Sequence, residues 1–263
     1  MKFFVRSFTF FGWTVFFLPT LFFELTAAAP ETIPEELFDV YTLNGQVPVI
    51  PWYFNDTDPT PTVYKYEQIE NNRRYAKTGG TFYYGKTDTW LYAALDKYSH
   101  QIKGKDVAIM GSTTPVYEGI VLAWEGSPIT IEYNSIISEH PLVKALTVDE
   151  YEKKPFLFDA ILSISSYEHD GLGRYGDPLN PIGDLLAMAK TKKMLKKGGL
   201  LFLAVPIAQD CLIWNAHRTY GRLRFPLLIE GWEIIDTFGF SMEDFSLSYH
   251  VIHQPVFVLR PAE

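Results

Sequence analysis

Continuous apolar runs, each followed by a polar stretch that contains glycine, are the main pattern along the second half of the chain. The two clearest runs cover residues 160–165 and 200–205, and their lack of polar alternation is typical of strands buried on both faces. Between them, the Asn-Pro pair at 180–181 can begin a helix and the glycines at 198–199 can end it. This order of strand, polar crossover, helix and strand predicts a parallel unit of the kind whose strand ends bind ligands in open α/β sheets.

The predicted helix of this unit places Leu185, Met188 and Leu195 on one face. Lysines at 192–197 stand where the negative end of the helix dipole favours cations. An earlier helix is expected with Asp88 as its N-cap, because apolar residues recur after it at helical spacing.

The same alternation of strand and helix continues on both sides of the central unit. Five further strands are predicted, at residues 107–110, 129–133, 142–148, 232–238 and 255–260. The last two are expected to pair as an antiparallel edge. Seven strands interleaved with helices predict an α/β fold with a doubly wound sheet.

The N-terminus has the parts of a targeting segment. Lys2 and Arg6 precede an uncharged, phenylalanine-rich stretch over residues 7–23, and small residues follow at 26–29. The apolar stretch is nearly as long as the roughly 20 residues that span a bilayer. Residues 1–29 are therefore predicted to be either a cleaved signal peptide or a retained signal-anchor. In both cases we expect a secreted or lumenal protein of the endoplasmic reticulum or Golgi, which contacts a membrane only through this segment.

The remaining chain divides into two predicted parts. Residues 30–80 are rich in proline and acidic side chains, which indicates an extended linker that lies on the domain, followed by a polar helix. Residues 81–263 form the predicted α/β domain. The triplet 55–57 (Asn-Asp-Thr) matches the acceptor pattern for N-glycosylation, which gains weight in a secretory protein.

Composition narrows the function classes. Of the 263 residues, 47% are hydrophobic and 21% charged, as in an ordinary globular protein with a core. The net charge of −8 argues against nucleic acid as a partner, since binding phosphates requires concentrated Lys and Arg. The single cysteine, Cys211, excludes an intrachain disulfide and any zinc site built on a cysteine pair.

A run of ionisable residues and glycines follows the strand at 160–165. Glu168, His169 and Asp170 come directly after the strand end, where a histidine flanked by carboxylates can act as a general acid or base. Arg174 can bind a carboxylate or phosphate with both guanidinium nitrogens, or form an ion pair with Asp170 or Asp177 that fixes the loop. No pair of these residues has a recognised metal-ligand spacing, so no metal site is predicted.

The order of elements, together with the stretch at residues 168–178, resembles two known groups. The order is similar to the Rossmann-like fold of class I methyltransferases that use S-adenosylmethionine. The stretch EHDGLGRYGDP resembles the family described as Caenorhabditis protein of unknown function, from about Lys105 to the C-terminus.

The methyltransferase resemblance implies a set of cofactor-binding residues. The turn after the first strand corresponds to Gly111, Ser112 and Thr113, and here it contains a single glycine. Glu132, at the end of the second strand, corresponds to the acid that holds the ribose hydroxyls. Asp149, after the third strand, corresponds to an acid near the adenine amine.

Three hypotheses follow. In the first, the protein is an S-adenosylmethionine-dependent methyltransferase of the secretory pathway, in which His169 acts as base on a small-molecule or glycan acceptor, assisted by Glu168 or Asp170. In the second, the single-glycine turn indicates a non-catalytic binding module that has lost its cofactor. In the third, the protein is an enzyme that handles nucleotide sugars or glycans.

Overall fold

A computed structural model describes residues 29–57 and 60–262. Its strands, in chain order, are β1 (Val49–Trp52), β2 (Thr62–Tyr64), β3 (Asp106–Met110), β4 (Ser127–Glu132), β5 (Ile136–Ser138), β6 (Lys144–Thr147), β7 (Phe158–Ile164), β8 (Leu195–Ala204), β9 (Cys211–Asn215), β10 (His217–Thr219), β11 (Trp232–Phe238) and β12 (Val256–Pro261). Its α-helices are α1 (Glu35–Tyr41), α2 (Tyr66–Lys77), α3 (Lys86–Lys97), α4 (Val116–Ala123), α5 (Val148–Lys153), α6 (Gly183–Met194) and α7 (Arg224–Leu228).

The main sheet has seven strands in the order β11-β12-β8-β7-β3-β4-β6. Strands β6, β4, β3, β7 and β8 are parallel, and β12 pairs antiparallel with both β8 and β11. The seven-stranded, Rossmann-like doubly wound sheet expected from the sequence is therefore confirmed. The antiparallel edge pair is confirmed as well.

Both faces of the sheet are buried, which explains the unbroken apolar runs. In β7, Ile161 faces a core that includes Met188 of α6 and Phe225 of α7. The next residue, Leu162, faces a second core that includes Leu95 of α3. Successive residues of a strand point to opposite faces, so a strand covered on both sides carries apolar side chains at most of its positions.

The end of α6 differs from the prediction. The helix stops at Met194, and Leu195 begins β8, where it pairs with Phe158. Lys196 and Lys197 therefore lie in extended chain rather than in a last helical turn. The pairing of Leu195 with β7 outweighs the local helical signal. The register of the two strands shifts between Leu195 and Leu200, and Gly198, with φ of +80°, allows the backbone to make this shift.

The start of α3 also differs. The helix begins at Lys86, so Asp88 is not its N-cap but lies buried in its first turn. One carboxylate oxygen of Asp88 accepts the backbone N–H of Phe82 at 2.6 Å, which ties the preceding loop to the helix.

The chain before β2 packs on the domain through a second, small sheet. Strand β1 pairs parallel with β9, which also pairs antiparallel with β10. Tyr41 of α1 packs with Trp214 of β9 and Leu172 of the loop after β7, and its hydroxyl donates to the carbonyl of Gly171. Neither α1 nor β9 was predicted. We call residues 29–57 the N-terminal arm.

The predicted signal peptide or signal-anchor lies almost wholly in residues 1–28, outside the described residues. Within residues 29–57 and 60–262, none of the helices has the length and apolar character needed to cross a bilayer.

A buried cluster of charged groups links α6 to β10 and α7. Asp184 is fully buried and accepts two hydrogen bonds from Arg224, at 2.7 and 2.9 Å, and one from the hydroxyl of Tyr220 at 3.0 Å. Arg218 is also buried, with Nε 3.8 Å from the same carboxylate. Burial alone would raise the pKa of Asp184, but Arg218 and Arg224 outweigh it and hold the pKa below its usual value. This carboxylate therefore stabilises the fold at neutral pH, and the contribution is lost on acidification.

We expect the change Asp184→Asn to lower the free energy of unfolding by about 3–5 kcal/mol, because two buried guanidinium groups lose their counter-charge. Urea unfolding at pH 7 measures this. The control is Glu233→Gln, which removes an exposed ion pair with Arg260 and should cost less than about 1 kcal/mol. An Asp184→Asn protein as stable as the control would contradict this view of the cluster.

Candidate functional site

A cavity of about 640 Å³ lies at the carboxyl ends of β3, β4 and β7. Its wall combines the turn after β3, the end of β4, the loop after β7 and one side of α6. Since the three strands are parallel neighbours, their carboxyl ends meet at one edge of the sheet, where open α/β proteins bind ligands. The volume is within the usual range of about 300–1,000 Å³ for small-molecule sites.

The turn after β3 depends on its one glycine. Gly111 has φ of +64°, and its N–H donates to the carbonyl of Ile131 at 3.1 Å. A Cβ atom at this position would collide with the side chain of Ser166. The left-handed backbone and the close approach of the loop after β7 both require glycine here. Ser112 and Thr113 follow, and both line the cavity.

A buried carboxylate behind this turn was not predicted. Glu118 of α4 is fully buried, and it accepts hydrogen bonds from the hydroxyls of Thr130 at 2.6 Å and Ser112 at 3.3 Å. Burial raises the pKa of Glu118 to about 7. Its carboxylate connects the turn to β4 and holds Ser112 in place. An acidic residue within an otherwise apolar helical run was the only signal in the sequence.

Glu132 ends β4 and lines the cavity, as its sequence position suggested. Its carboxylate accepts the backbone N–H of Tyr133 at 2.8 Å, which fixes its orientation. Burial raises the pKa of Glu132 above its usual value.

Asp149 is placed differently from the expectation. It is exposed in the first turn of α5. The α5 residues in the described cavity wall are Val148, Tyr151 and Glu152. Thr147 and Glu150 form a capping box at the start of α5, which sets the rotation of the helix and turns Asp149 to solvent.

His169 lines the cavity, but its environment does not suit the predicted role of base. Its Nδ1 lies 2.6 Å from the carbonyl of Ala216, so Nδ1 carries the proton and Nε2 the lone pair. Burial, with Arg174, His217 and Arg218 nearby, lowers the pKa of His169 to about 3. A group with this pKa is a weak proton acceptor at neutral pH.

Glu168 lies behind the cavity rather than in its described wall. Its side chain is 1% exposed, and one carboxylate oxygen accepts the hydroxyl of Ser165 at 2.6 Å. The same oxygen is 3.8 Å from Nε2 of His169. Burial raises the pKa of Glu168 to about 7.

Asp170 and Asp177 have different roles. Asp170 lines the cavity, and burial together with Asp177 and Asp184 raises its pKa well above the usual range, which favours the protonated form. Asp177 accepts the backbone N–H groups of Gly171 at 2.7 Å and Gly173 at 3.1 Å. It therefore holds the loop in shape.

Arg174 faces the N-terminal arm, and the described cavity wall does not include it. Its Nε donates to Asp56 at 2.7 Å, and its guanidinium stacks 4.4 Å from the ring of Phe54. The predicted ion pair with Asp170 or Asp177 is thus replaced by one with the arm. The ligand-binding role predicted for Arg174 has no support in this arrangement, because the guanidinium is already engaged.

Several solved methyltransferases have a similar overall fold. The 1,6-didemethyltoxoflavin-N1-methyltransferase of Burkholderia thailandensis is 14% identical with a TM-score of 0.46, over 75% of this chain and 89% of that one. The CcbJ methyltransferase of Streptomyces caelestis is 10% identical with a TM-score of 0.41, over 65% and 88%. The ribosomal protein L11 methylase of Lactobacillus delbrueckii subsp. bulgaricus is 12% identical with a TM-score of 0.41, over 68% and 79%. At these identities the similarity concerns the fold and says nothing about which residues bind or react.

The sequence itself matches a family over most of the domain. A profile of the family described as Caenorhabditis protein of unknown function, DUF268, matches residues 105–257, more than half of the chain. The chain belongs to this family. No relative was found among curated proteins.

We expect Gly111→Ala to destabilise the protein by more than the left-handed backbone alone costs, which is about 1–2 kcal/mol, because Cβ would also collide with Ser166. The matched control is Gly104→Ala, with a similar φ of +67° and open space around the new Cβ. Urea unfolding of both variants separates the collision from the backbone cost. If both variants lose the same free energy of unfolding, the turn after β3 is not in tight contact with the loop after β7.

Proposed function

We propose that this protein is an S-adenosylmethionine-dependent methyltransferase that acts on a small-molecule acceptor. One observation carries the proposal: a single cavity joins the Gly111 turn and Glu132 to the loop that bears His169 and Asp170. A cofactor and an acceptor bound at these two parts of one cavity would be neighbours, and alignment of two reactants is a large part of what such a reaction needs.

The residues at the cofactor end fit S-adenosylmethionine. Gly111 lets the backbone after β3 approach a ligand without a side chain in between. Glu132 offers a carboxylate at the end of β4, the position from which an acidic residue hydrogen-bonds ribose hydroxyls in dinucleotide-binding sheets. Ile131, Val148 and Tyr151 add an apolar surface that suits a flat base.

At the acceptor end, the chain supplies aromatic walls and a few polar groups. Tyr84, Tyr117 and Tyr175 line the cavity near the loop after β7. His169 contributes an uncharged imidazole, and Asp170 in its protonated form can donate a hydrogen bond. When bound, the cofactor would supply an electrophilic methyl group. The chain's own residues would bind and orient the acceptor and take up its proton.

We expect Glu132→Gln to weaken binding of S-adenosylhomocysteine by about tenfold or more, because an amide would replace the carboxylate that would accept hydrogen bonds from the ribose hydroxyls. Isothermal titration calorimetry measures the affinity. Asp149→Asn is the matched control, and it should bind like the wild type because Asp149 is exposed.

Two other results would redirect the proposal. If the wild type gives no heat with millimolar S-adenosylmethionine or S-adenosylhomocysteine, the protein is not a methyltransferase of this kind, and the non-catalytic reading is favoured. A nucleotide sugar retained in native mass spectrometry would instead favour a glycan-handling enzyme.

We further propose that the protein works in the secretory pathway. The support is the basic start, apolar stretch and small residues of segment 1–29. In addition, Asn55 of the glycosylation triplet is exposed on the arm, where a glycan would have room.

For the protein expressed in animal cells, we expect treatment with an N-glycosidase to reduce the apparent mass. Asn55→Gln should abolish that reduction, whereas Thr57→Ser should keep it, since serine also serves in the acceptor triplet. A wild-type mass that the enzyme does not change would remove this support for a lumenal location.

A further inference from the structure

Ser165, the first residue after β7, has a backbone conformation that needs an explanation. Its φ is +52°, a region that residues other than glycine rarely adopt. Such strain costs free energy and persists where the surroundings enforce it, often at functional sites. Ser165 also lines the cavity.

The hydroxyl of Ser165 has a defined set of partners. It donates its proton to Glu168 at 2.6 Å and accepts a hydrogen bond from the side-chain amide of Gln254 at 3.1 Å. A serine hydroxyl has one proton and two lone pairs, so one lone pair remains for a further donor. The phenol of Tyr84 stands on the same wall and forms a side-chain hydrogen bond with Ser165, so an acceptor hydroxyl would take the place of this phenol at the second lone pair.

Glu168 behind Ser165 is incompletely paired. Its second carboxylate oxygen is buried and has no hydrogen-bond partner within residues 29–57 and 60–262. A buried acceptor without a partner costs free energy and calls for a reason. Glu168 is not part of the described cavity wall, but Ser165, which hydrogen-bonds it, is part of that wall and so connects Glu168 to the cavity.

We infer that Ser165 and Glu168 form a proton relay, and that the acceptor presents a hydroxyl group to Ser165. The inference rests on the proposed methyl transfer. The acceptor oxygen forms a bond to the methyl carbon, the sulfur–carbon bond breaks and its electron pair stays on sulfur. The acceptor proton passes to Oγ of Ser165, and the proton of Ser165 passes to Glu168. The products are a methyl ether, S-adenosylhomocysteine and a protonated Glu168, which returns its proton to solvent after product release.

The charged groups around Ser165 and Glu168 are consistent with proton transfer toward Glu168. Glu168 faces Arg218 of β10, Arg174 and His169 of its own loop, and Asp170. Burial outweighs the two arginines and raises the pKa of Glu168 to about 7, close to the pH at which a base works best. His169, with a pKa of about 3, is the weaker base and orients the loop through Ala216.

Carbon-13 NMR of the full-length, cofactor-free protein with labelled glutamate carboxyl groups tests the relay. Glu168→Gln assigns the resonance. We expect a wild-type midpoint near pH 7, and in Ser165→Gly a midpoint about one pH unit higher, because the charged form loses its hydrogen-bond donor. Glycine relieves the left-handed strain, so this variant should keep the fold. Ser165→Ala should shift the midpoint in the same direction.

Glu118 is the internal control, since it is also buried with a pKa raised to about 7, but its partners are Ser112 and Thr130. Its midpoint, assigned with Glu118→Gln, should be the same in the wild type and Ser165→Gly. The relay is overturned if Glu168 titrates with the pKa of an exposed glutamate, or if Ser165→Gly leaves its midpoint in place.

Calorimetry with S-adenosylhomocysteine separates this inference from the proposed function. We expect Ser165→Gly and Glu168→Gln to bind it as the wild type does, because neither residue belongs to the cofactor end. If the wild type binds S-adenosylhomocysteine but the Glu168 midpoint is unchanged in Ser165→Gly, the relay is overturned and the proposed function stands. Absence of binding to the wild type would overturn the proposed function, and the relay with it.

Discussion

The parallel register of β4, β3 and β7 is the constraint on which the site depends. Ala108 of β3 pairs with Ile129 on one side and Ile161 on the other, so the three strands end level at one edge. The positions that follow these ends are then set relative to one another by backbone hydrogen bonds rather than by side-chain chemistry. Helices pack on both faces of the sheet, and the turn, the acidic strand end and the loop after β7 meet in one cavity at this edge.

The fold was largely predictable because its main signal is local. A strand buried on both faces is mostly apolar at successive positions, and residues 160–162 of β7 and 200–204 of β8 show this directly in the sequence. The errors arose where a partner distant in sequence decides the outcome. Leu195 has helical neighbours but pairs with Phe158, and β9 is a strand because β1 and β10 bind on either side of it. No local pattern reports such pairings.

The candidate site was predictable in its positions but not in its chemistry. Glu132 and His169 could be placed at strand ends, and both line the cavity. Their protonation could not be foreseen, because it depends on burial and on arginines from other segments, as the low pKa of His169 shows. Arg174 was expected to meet a ligand or a neighbour in its loop, and it binds Asp56 of the N-terminal arm instead. The role of Glu118 was not predicted, because it depends on hydrogen bonds from Ser112 and Thr130 that form only in the folded chain.

The attachment of the N-terminal arm has a consequence for how the molecule is assembled. Val49 of β1 pairs with Leu212 of β9, and Asp56 binds Arg174, so the arm's partners are synthesised long after the arm itself. Closing so large a segment is entropically costly until the sheet exists to receive it. During synthesis the arm can therefore attach only after the loop after β7 and then β9 have been made, so the loop beside the cavity cannot receive the support of the arm earlier.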